Sequence, residues 1–251
     1  MFLTIGGRQL RLNEVAKNYD RAARYYDCMA DAVFGFLLGL EKYRTQVINQ
    51  LGSLEGATVL DLGCGTGRNF SLLEKSIGES GKIIAVDYSD GMLRKARRRI
   101  KRNAWSNIEV VRDDVVTLRK IQEPVDAVVA IWVSGIVHDL DSALNEAVKR
   151  LLPNGRIAIM DFEKSRPDRG FLRWLFPFYS LILRASGIDT EEDLDNSRLQ
   201  AKWKRGKKTL DEQLIDLRID DYLCRTGLIV SGMKPENFTQ PITYGTHFGS
   251  V

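Results

Sequence analysis

An apolar run that breaks into alternating glycines constrains this chain more than any other feature. Residues 58–62 form a β-rich run, and Gly63, Gly65 and Gly67 follow it in G-x-G-x-G spacing. Glycine adopts positive φ and lets a ligand approach the backbone closely, so this pattern predicts a strand that ends in a tight turn at a helix N-terminus. A second apolar run ends in Asp87, a carboxylate suited to the hydroxyls of a ribose. Together the two runs predict a site for a nucleoside-containing cofactor.

Short β-rich runs alternate with segments of helical period between residues 58 and 162. This alternation is typical of a parallel sheet with helices on both faces, which is an α/β fold. Helices are predicted where apolar side chains recur on one side, at 91–104 and 142–152. Strands are predicted at 58–62, 82–87, 108–112, 125–131 and 156–162.

Three segments lie outside this core, and we expect the whole chain, residues 1–251, to form a single domain. Residues 9–51 are predicted to be helical, and residues 163–208 form an irregular insertion rich in arginine and aromatic residues. Residues 209–251 are predicted to begin with a helix whose N-cap is Thr209. Two closing strands are expected after it, near 227–233 and 242–250.

The composition indicates a soluble, cytoplasmic protein without a metal site. Of 251 residues, 44% are apolar, and 37 basic residues nearly balance 33 acidic residues. The cysteines show no metal-ligand spacing, so neither a metal site nor a disulfide scaffold is expected. The N-terminus has no secretory apolar stretch, and the apolar run at 174–183 has about half the length that crosses a bilayer.

The glycine spacing and the residue ahead of it argue against a phosphate ligand. A pyrophosphate-binding fingerprint usually has G-x-G-x-x-G, with one more residue before its last glycine. Asp61 stands just ahead of the turn, where its negative charge repels a phosphate. The same carboxylate suits a cation such as an amino group or a sulfonium. These residues therefore favour a nucleoside that carries positive charge.

Five motifs across residues 58–162 resemble those of the class I S-adenosylmethionine-dependent methyltransferases. The stretch V-L-D-L-G-C-G-T-G at 59–67 resembles their motif I, and Asp87-Tyr88-Ser89 resembles their acidic second motif. The resemblance implies a Rossmann-like sheet of seven strands, mostly parallel with an antiparallel last strand. It also implies S-adenosyl-L-methionine as cofactor and S-adenosyl-L-homocysteine as product. The remaining three resemblances are at 112–115, 125–130 and 151–156.

The resemblance also assigns roles to residues near the glycine turn. It implies that Asp61, Gly63 and Gly65 flank the methionine part of the cofactor. Asp87 is expected to bind the ribose hydroxyls, and Tyr88 is expected to pack on the adenine.

A further set of residues is expected around the adenine. The resemblance implies that Asp114 accepts a hydrogen bond from the adenine amino group, beside the backbone of Val115. Asp113 is the competing choice for that role. Ile131, at the end of the fourth strand, is also expected to contact the cofactor.

The N-terminal segment narrows the resemblance to the ubiquinone/menaquinone C-methyltransferase-like and methyltransferase type 11 group. The stretches V-A-K-N-Y-D at 15–20 and R-Y-Y-D at 24–27 are similar to an element that covers the cofactor in that group. By its distance from Asp61 along the chain, Tyr26 is the tyrosine expected to meet the methionine carboxylate. Arg44 is a second candidate partner of that carboxylate.

The methyl acceptor stays open at this stage. Where the quinone enzymes carry Gly-Leu-Arg-Asn after the fourth strand, this chain has Val133-Ser134-Gly135-Ile136. We expect a small lipophilic or amphipathic acceptor, either quinone-precursor-like or a lipid amine. The alternatives are a methyltransferase of RNA or protein and a non-catalytic S-adenosylmethionine-binding partner subunit.

A general base is needed only if the acceptor loses a proton, and His138 is the candidate for that role. It follows the fourth strand, at the sheet edge where ligands bind, and histidine titrates near neutral pH. The competing interpretation is a histidine that only introduces the next helix. His247 is interpreted as structural.

Two basic segments are relevant to whether the protein binds a nucleic acid or a membrane surface. The run at 94–102 keeps an apolar helix face, so we expect a solvated surface rather than a nucleic-acid site. Residues 171–208 are expected either to touch a membrane surface peripherally or to form a flap over the site. A nucleic-acid partner is not expected, because no Asn-Pro-Pro-Tyr-like motif follows the fourth strand. The oligomeric state is open, with a homodimer as one option.

Overall fold

The apolar runs of the sequence become strands, and the amphipathic segments between them become helices. The computed structural model describes residues 2–5, 8–11, 17, 20, 39–163, 174, 196–223 and 225–237. In chain order, the elements are β1 (Phe2–Ile5), β2 (Arg8–Arg11), α1 (Glu41–Gln50), β3 (Thr58–Leu62), α2 (Phe70–Ile77), β4 (Lys82–Asp87), α3 (Asp90–Asn103), β5 (Ile108–Arg112), β6 (Val125–Ile131), α4 (Leu140–Arg150), β7 (Leu151–Phe162), α5 (Asn196–Asp211), β8 (Ile215–Tyr222) and β9 (Gly227–Met233).

Seven strands form one sheet in the order β5-β4-β3-β6-β7-β9-β8. The first five strands in this order, β5, β4, β3, β6 and β7, pair in parallel. Strand β9 pairs antiparallel with both β7 and β8. The predicted seven-stranded sheet with an antiparallel last strand is therefore confirmed. The strand order reverses between β3 and β6, and in open α/β sheets ligands bind at the carboxyl ends of the strands at such a reversal.

The central strands are buried on both faces. Their apolar runs are almost continuous, as expected for parallel strands that are covered by helices on each side. Helices α1, α2 and α3 pack on one face, through residues such as Val47, Leu73 and Leu93. Helices α4 and α5 pack on the other, through residues such as Leu144 and Trp203. The prediction of helices on both faces is confirmed.

The sequence of helix α3 determines which of its sides faces the sheet. Ser89 is the N-cap, and its hydroxyl accepts a hydrogen bond from the Met92 backbone N–H at 3.2 Å. Leu93 and Ala96 are fully buried against the sheet. The outward side is basic and exposed, with Arg94, Arg97, Arg98, Lys101 and Arg102.

Two predictions are wrong, one for the end of the helix before the fifth parallel strand and one for residues near the N-terminus. The helix predicted at 142–152 ends at Arg150, because Leu151 already pairs with Val125 across a bulge in the sheet. Residues 9–11, predicted to be helical, lie in β2, which pairs antiparallel with β1. Within the predicted helical segment 9–51, the described helix is α1.

The C-terminal elements also differ from the prediction. Thr209 lies in the last turn of α5 rather than at a helix start, and residues 196–208 of the predicted irregular insertion are helical. Residues 215–222 form the edge strand β8, in which Ile215, Leu217 and Ile219 alternate with charged residues, as is typical of a strand. The strand predicted near 227–233 is confirmed as β9. The strand predicted at 242–250 lies outside the described residues, as do His247 and most of 163–195.

Candidate active site

A cavity lies at the carboxyl ends of β3, β4 and β6, where the strand order reverses. Together with the open solvent at its mouth, it holds about 980 Å³ of space. Asp61 lies directly behind the glycine turn, and Tyr26 lies outside the described residues. The cavity is lined by these predicted site residues: Gly63, Gly65, Asp87, Tyr88, Asp113, Asp114, Val115, Ile131 and His138.

The glycine turn needs glycine for two different reasons. Gly63 has a φ of 64°, and a Cβ there would lie 2.3 Å from a methyl group of Val133. Gly65 has a φ of 55°, and a Cβ there would meet nothing within 4 Å. The first glycine therefore allows close packing, and the second leaves space inside the cavity for a ligand.

Asp61 is a fully buried carboxylate with one oxygen in use. Its Oδ1 accepts a hydrogen bond from Asn69 Nδ2 at 2.8 Å, while its Oδ2 has no partner among the described residues. Burial raises the pKa of Asp61 to about 7; Asn69 and Arg44 oppose this rise, and Asp87 adds to it. A buried carboxylate with an unused oxygen is suited to a positively charged ligand group.

Arg44 supplies a buried positive charge at the same end of the cavity. Its guanidinium donates to Asn69 Oδ1 and pairs with Glu41 at 3.2 Å. It also lies 4.9 Å from the ring centre of Trp132, within cation–π range. Arg68, which also lines the cavity, pairs with Glu41 at 2.6 Å. The cations Arg44 and Arg68 line this end of the cavity, and the buried Asp61 lies behind it, a combination of charges that suits a zwitterionic amino-acid group.

Asp87 fixes the turn that it is predicted to share with the ribose. Its Oδ2 accepts from the Gly65 N–H at 2.9 Å, and its Oδ1 accepts from the Ser89 N–H at 2.8 Å. Burial raises the pKa of Asp87, these backbone bonds lower it, and nearby Asp20 raises it. Asp20 Oδ1 in turn accepts from the Ser89 hydroxyl and the Gly91 N–H, each at 2.6 Å. Asp20 therefore caps helix α3 beside the cavity.

Asp113 and Asp114, the two acids that are predicted near the adenine, have different contacts. Both oxygens of Asp113 accept backbone N–H groups, from Asp114 at 2.9 Å and Lys120 at 2.7 Å. Asp114 uses Oδ1 to accept from the Val116 N–H at 3.0 Å. This geometry makes Asp113 the residue that shapes the loop and is compatible with Asp114 as the adenine partner, which stays a prediction.

The opposite wall of the cavity follows β6. Trp132 adopts a φ of 57° directly after the strand, and its N–H donates to the Met160 carbonyl at 2.8 Å. The side chains of Val133, Ile136 and Val137 then line the cavity, followed by His138. This wall, from Trp132 to His138, is called the acceptor wall below.

His138 is the titratable residue of the acceptor wall. Burial lowers the pKa of His138 from its ordinary 6.5, and the Lys202 ammonium also lowers it, whereas Asp114 and Asp139 raise it. At neutral pH the imidazole is therefore neutral and able to accept a proton. Asp139 accepts from the Ser142 N–H at 3.0 Å, so it caps helix α4 directly after His138.

The sequence model of the ubiE/COQ5 methyltransferase family matches residues 8–211 of the chain. The chain belongs to this family. The match confirms the family that the motifs predicted, and the protein is an S-adenosylmethionine-dependent methyltransferase. Within the described residues, no helix is both long and apolar enough to cross a membrane, and no cluster of His, Cys, Asp or Glu is arranged to hold a metal ion.

Individual relatives agree with the family match. A demethylmenaquinone methyltransferase from Lactococcus lactis is 29% identical over 167 residues, which are 66% of this chain and 62% of that protein. The ubiquinone/menaquinone biosynthesis C-methyltransferase UbiE from Hahella chejuensis is 30% identical over 76% of each chain. The N-methyltransferase NodS from Bradyrhizobium japonicum, solved with S-adenosyl-L-homocysteine, is 18% identical and has a TM-score of 0.53 over 78% of this chain and 87% of that chain. The last comparison shows the shared fold.

The residues of the cavity fit the family's cofactor. The unused Asp61 Oδ2 suits the methionine ammonium, and the open space at Gly65 leaves room for the nucleoside. The individual contacts predicted from sequence stay predictions.

Sequence reasoning left four residues of this region without a role. They are Asp20, Asn69, Asp161 and Lys202. Asp20 and Asn69 lie inside recognisable motifs, which is a usable signal. The Lys202 ammonium donates hydrogen bonds to a loop that is 65 residues or more away in sequence, and no local pattern indicates that contact.

Proposed function

We propose that the protein transfers the methyl group of S-adenosyl-L-methionine to a ring carbon of a small, lipophilic quinone precursor. The acceptor wall carries the proposal, because Trp132, Val133, Ile136 and Val137 offer an apolar, partly aromatic surface across from the glycine turn. Such a surface suits a flat aromatic ring with an apolar tail. The names of the Lactococcus lactis and Hahella chejuensis relatives support the same acceptor class.

In this proposal, the chain mainly aligns its two substrates and excludes water. S-adenosyl-L-methionine supplies a methyl group on a positively charged sulfur, which is already an activated electrophile. Asp61 holds the methionine ammonium, and Asp87 and the glycine turn hold the nucleoside, so that the methyl group faces the acceptor wall. Holding both reactants in line accounts for a large part of the rate, since alignment replaces a bimolecular encounter.

Carbon methylation also releases a proton. The ring carbon forms the new C–C bond with a π electron pair as the S–C bond breaks, and the methylated carbon then loses its hydrogen as a proton. His138 is the residue that accepts this proton, because it lines the cavity and its pKa lies below 6.5. The aromatic ring is restored, and S-adenosyl-L-homocysteine leaves.

A lipid amine is less well matched by the acceptor wall. An amine acceptor that arrives protonated is cationic, and the five residues of the wall that line the cavity carry no negative charge. Trp132 offers an aromatic face, but the Arg44 guanidinium already lies over that ring at 4.9 Å.

The test uses the purified chain with methyl-labelled S-adenosyl-L-methionine and three acceptors in parallel. These are a reduced demethylated naphthoquinol with a short prenyl tail, phosphatidylethanolamine in detergent micelles, and bulk RNA. We expect label in the naphthoquinol, with carbon attachment shown by mass spectrometry and NMR. His138→Gln should slow this transfer about a hundredfold, within the range for loss of a general base, and leave nucleoside binding unchanged. Label that appears in the amine lipid or in RNA, and not in the quinol, overturns the proposal.

A further inference from the structure

Lys202 of α5 reaches the loop that forms the acceptor wall. Its ammonium donates to three backbone carbonyls, those of Ser134, Gly135 (at 2.8 Å) and Val137. An ammonium has three N–H donors, which matches the number of these carbonyl acceptors on one loop. Three carbonyl oxygens that converge on one point repel each other unless a cation lies between them.

Asp161 holds the same loop from the other side. It is 3% exposed at the end of β7, and its Oδ2 accepts from the Gly135 N–H at 2.9 Å. Burial raises the pKa of Asp161, and the bonded N–H groups and the Lys202 ammonium lower it. A negative group thus holds an N–H of the loop, while a positive group holds its carbonyls.

The helix that carries Lys202 is itself firmly packed. Trp203, the next residue, is fully buried. Gly206 approaches α4 so closely that a Cβ there would lie 3.0 Å from Leu140 and 3.1 Å from Leu144. Because α5 cannot shift without disturbing this contact, the ammonium of Lys202 has a fixed position relative to the sheet.

We propose that Lys202 is a positioning residue of the acceptor site, which fixes the loop 134–137 and through it His138 and the apolar acceptor wall. The inference rests on the proposed function, since it assigns this wall to the acceptor. It places no demand on the nucleoside half of the cavity, where the glycine turn and Asp87 have their own hydrogen bonds. Lys202 should therefore control acceptor turnover without controlling nucleoside affinity.

The experiment compares Lys202→Met with Lys204→Met, a matched control on the exposed side of the same helix. Calorimetry with S-adenosyl-L-homocysteine should give dissociation constants within about twofold for both variants and the parent. Lys202→Met should lose about a hundredfold in kcat/KM for the acceptor, since small misplacements of reacting groups cost about that much. Lys204→Met should retain parent activity. Lys202→Gln, which keeps part of the length and two donors, should recover part of the lost turnover.

Hydrogen–deuterium exchange separates this inference from the identity of the acceptor. In the chain without acceptor, Lys202→Met should speed exchange in the peptide that contains 133–138 and leave the peptide that contains 61–67 unchanged. Faster exchange in Lys202→Met, together with no quinol methylation even by the parent, supports Lys202 as a positioning residue and overturns only the proposed acceptor. Unchanged exchange and unchanged kcat/KM in Lys202→Met overturn the inference. A Lys202→Met chain with weakened nucleoside binding also overturns it, because the effect would then extend beyond the acceptor wall.

Discussion

Replacing Asp61 by asparagine should weaken cofactor binding and at the same time stabilise the free protein. Asp61 is fully buried, with an unused Oδ2 and a pKa raised to about 7. In the free protein the charged form is disfavoured by burial, whereas a bound ammonium group favours it. The substitution Asp61→Asn keeps the shape and an oxygen that can accept from Asn69, and it replaces the charged Oδ2 by a neutral NH2 group.

The pH dependence follows from the fraction of Asp61 that is ionised. With a pKa of about 7, roughly one-eleventh of the carboxylate is charged near pH 6 and roughly ten-elevenths near pH 8. If only the charged form binds the ammonium, nucleoside affinity should rise about tenfold over this interval, or about 1.4 kcal/mol. In Asp61→Asn this rise should disappear, and affinity near pH 8 should fall about 10- to 100-fold, as for loss of a charged hydrogen bond.

Ionisation of Asp61 raises cofactor affinity but lowers the stability of the free protein. The folded pKa of about 7 lies above the ordinary 3.8, so the folded free protein binds the proton more tightly than the unfolded chain does. Stability from this group is therefore present at low pH and lost as pH rises towards 7. The interval from 3.8 to about 7 corresponds to at most about 4 kcal/mol. Above pH 7, Asp61→Asn should accordingly raise the Tm of the free protein.

Calorimetric titration with S-adenosyl-L-homocysteine between about pH 6 and pH 8, in buffers of different ionisation enthalpy, measures both affinity and proton release. The parent should release protons on binding near pH 6, and Asp61→Asn should release fewer. Asn69→Ala, which removes the neutral partner of Asp61, serves as the comparison. An Asp61→Asn chain with the affinity and pH dependence of the parent refutes the assignment of Asp61 to the ammonium.

Four further substitutions test other parts of the structure. Gly65→Ala puts a methyl group into open cavity space at a φ of 55°, so titration should show at least about tenfold weaker nucleoside binding; unchanged binding contradicts a ligand at this turn. Asp20→Ala removes the cap on α3 formed through Ser89 and Gly91, and urea unfolding should show a loss of about 1 kcal/mol. With S-adenosyl-L-methionine saturating, so that ionisation of Asp61 does not limit the rate, the acid limb of the parent's kcat/KM profile for the acceptor should lie below pH 6.5, because burial lowers the pKa of His138. This limb should vanish in His138→Gln; a limb that persists assigns it to another group. Trp203→Ala empties a fully buried site between α5 and the sheet, so chemical denaturation should report about 3–5 kcal/mol of lost stability.

The predictable parts of this molecule are those whose signal is local in sequence. Strands β3 to β6 begin and end where their apolar runs predict. For β3, β4 and β6 the reason is that parallel strands buried on both faces must be apolar. The glycine turn and Asp87 were also found from local spacing, and the structure brings them together at 2.9 Å. The family then follows from the order of these motifs along the chain.

The parts that sequence did not predict depend on contacts between distant segments. Edge strand β8 lies at the end of the sheet, where even Ile215 and Ile219 are 45% exposed, and the prediction of a helix from Thr209 overlooked its alternation of apolar and charged residues. Lys202 stands in a basic segment that is expected from sequence either to touch a membrane surface or to form a flap over the site, and its ammonium instead donates to the loop after β6. The carbonyls that it binds carry no side-chain identity, and a single sequence therefore gives no indication of them.

The strand order divides the site between two halves of the sheet. β3, β4 and β5 bring the residues around the predicted nucleoside position, whereas β6, β7 and α5 build and hold the acceptor wall. Substitutions that lie far apart on opposite sides should be close to additive in free energy, whereas Gly63 and Val133, which pack against each other where the two halves meet, should be coupled. A chain built this way can exchange its acceptor preference through changes in one half, while the machinery that loads the methyl donor is inherited intact.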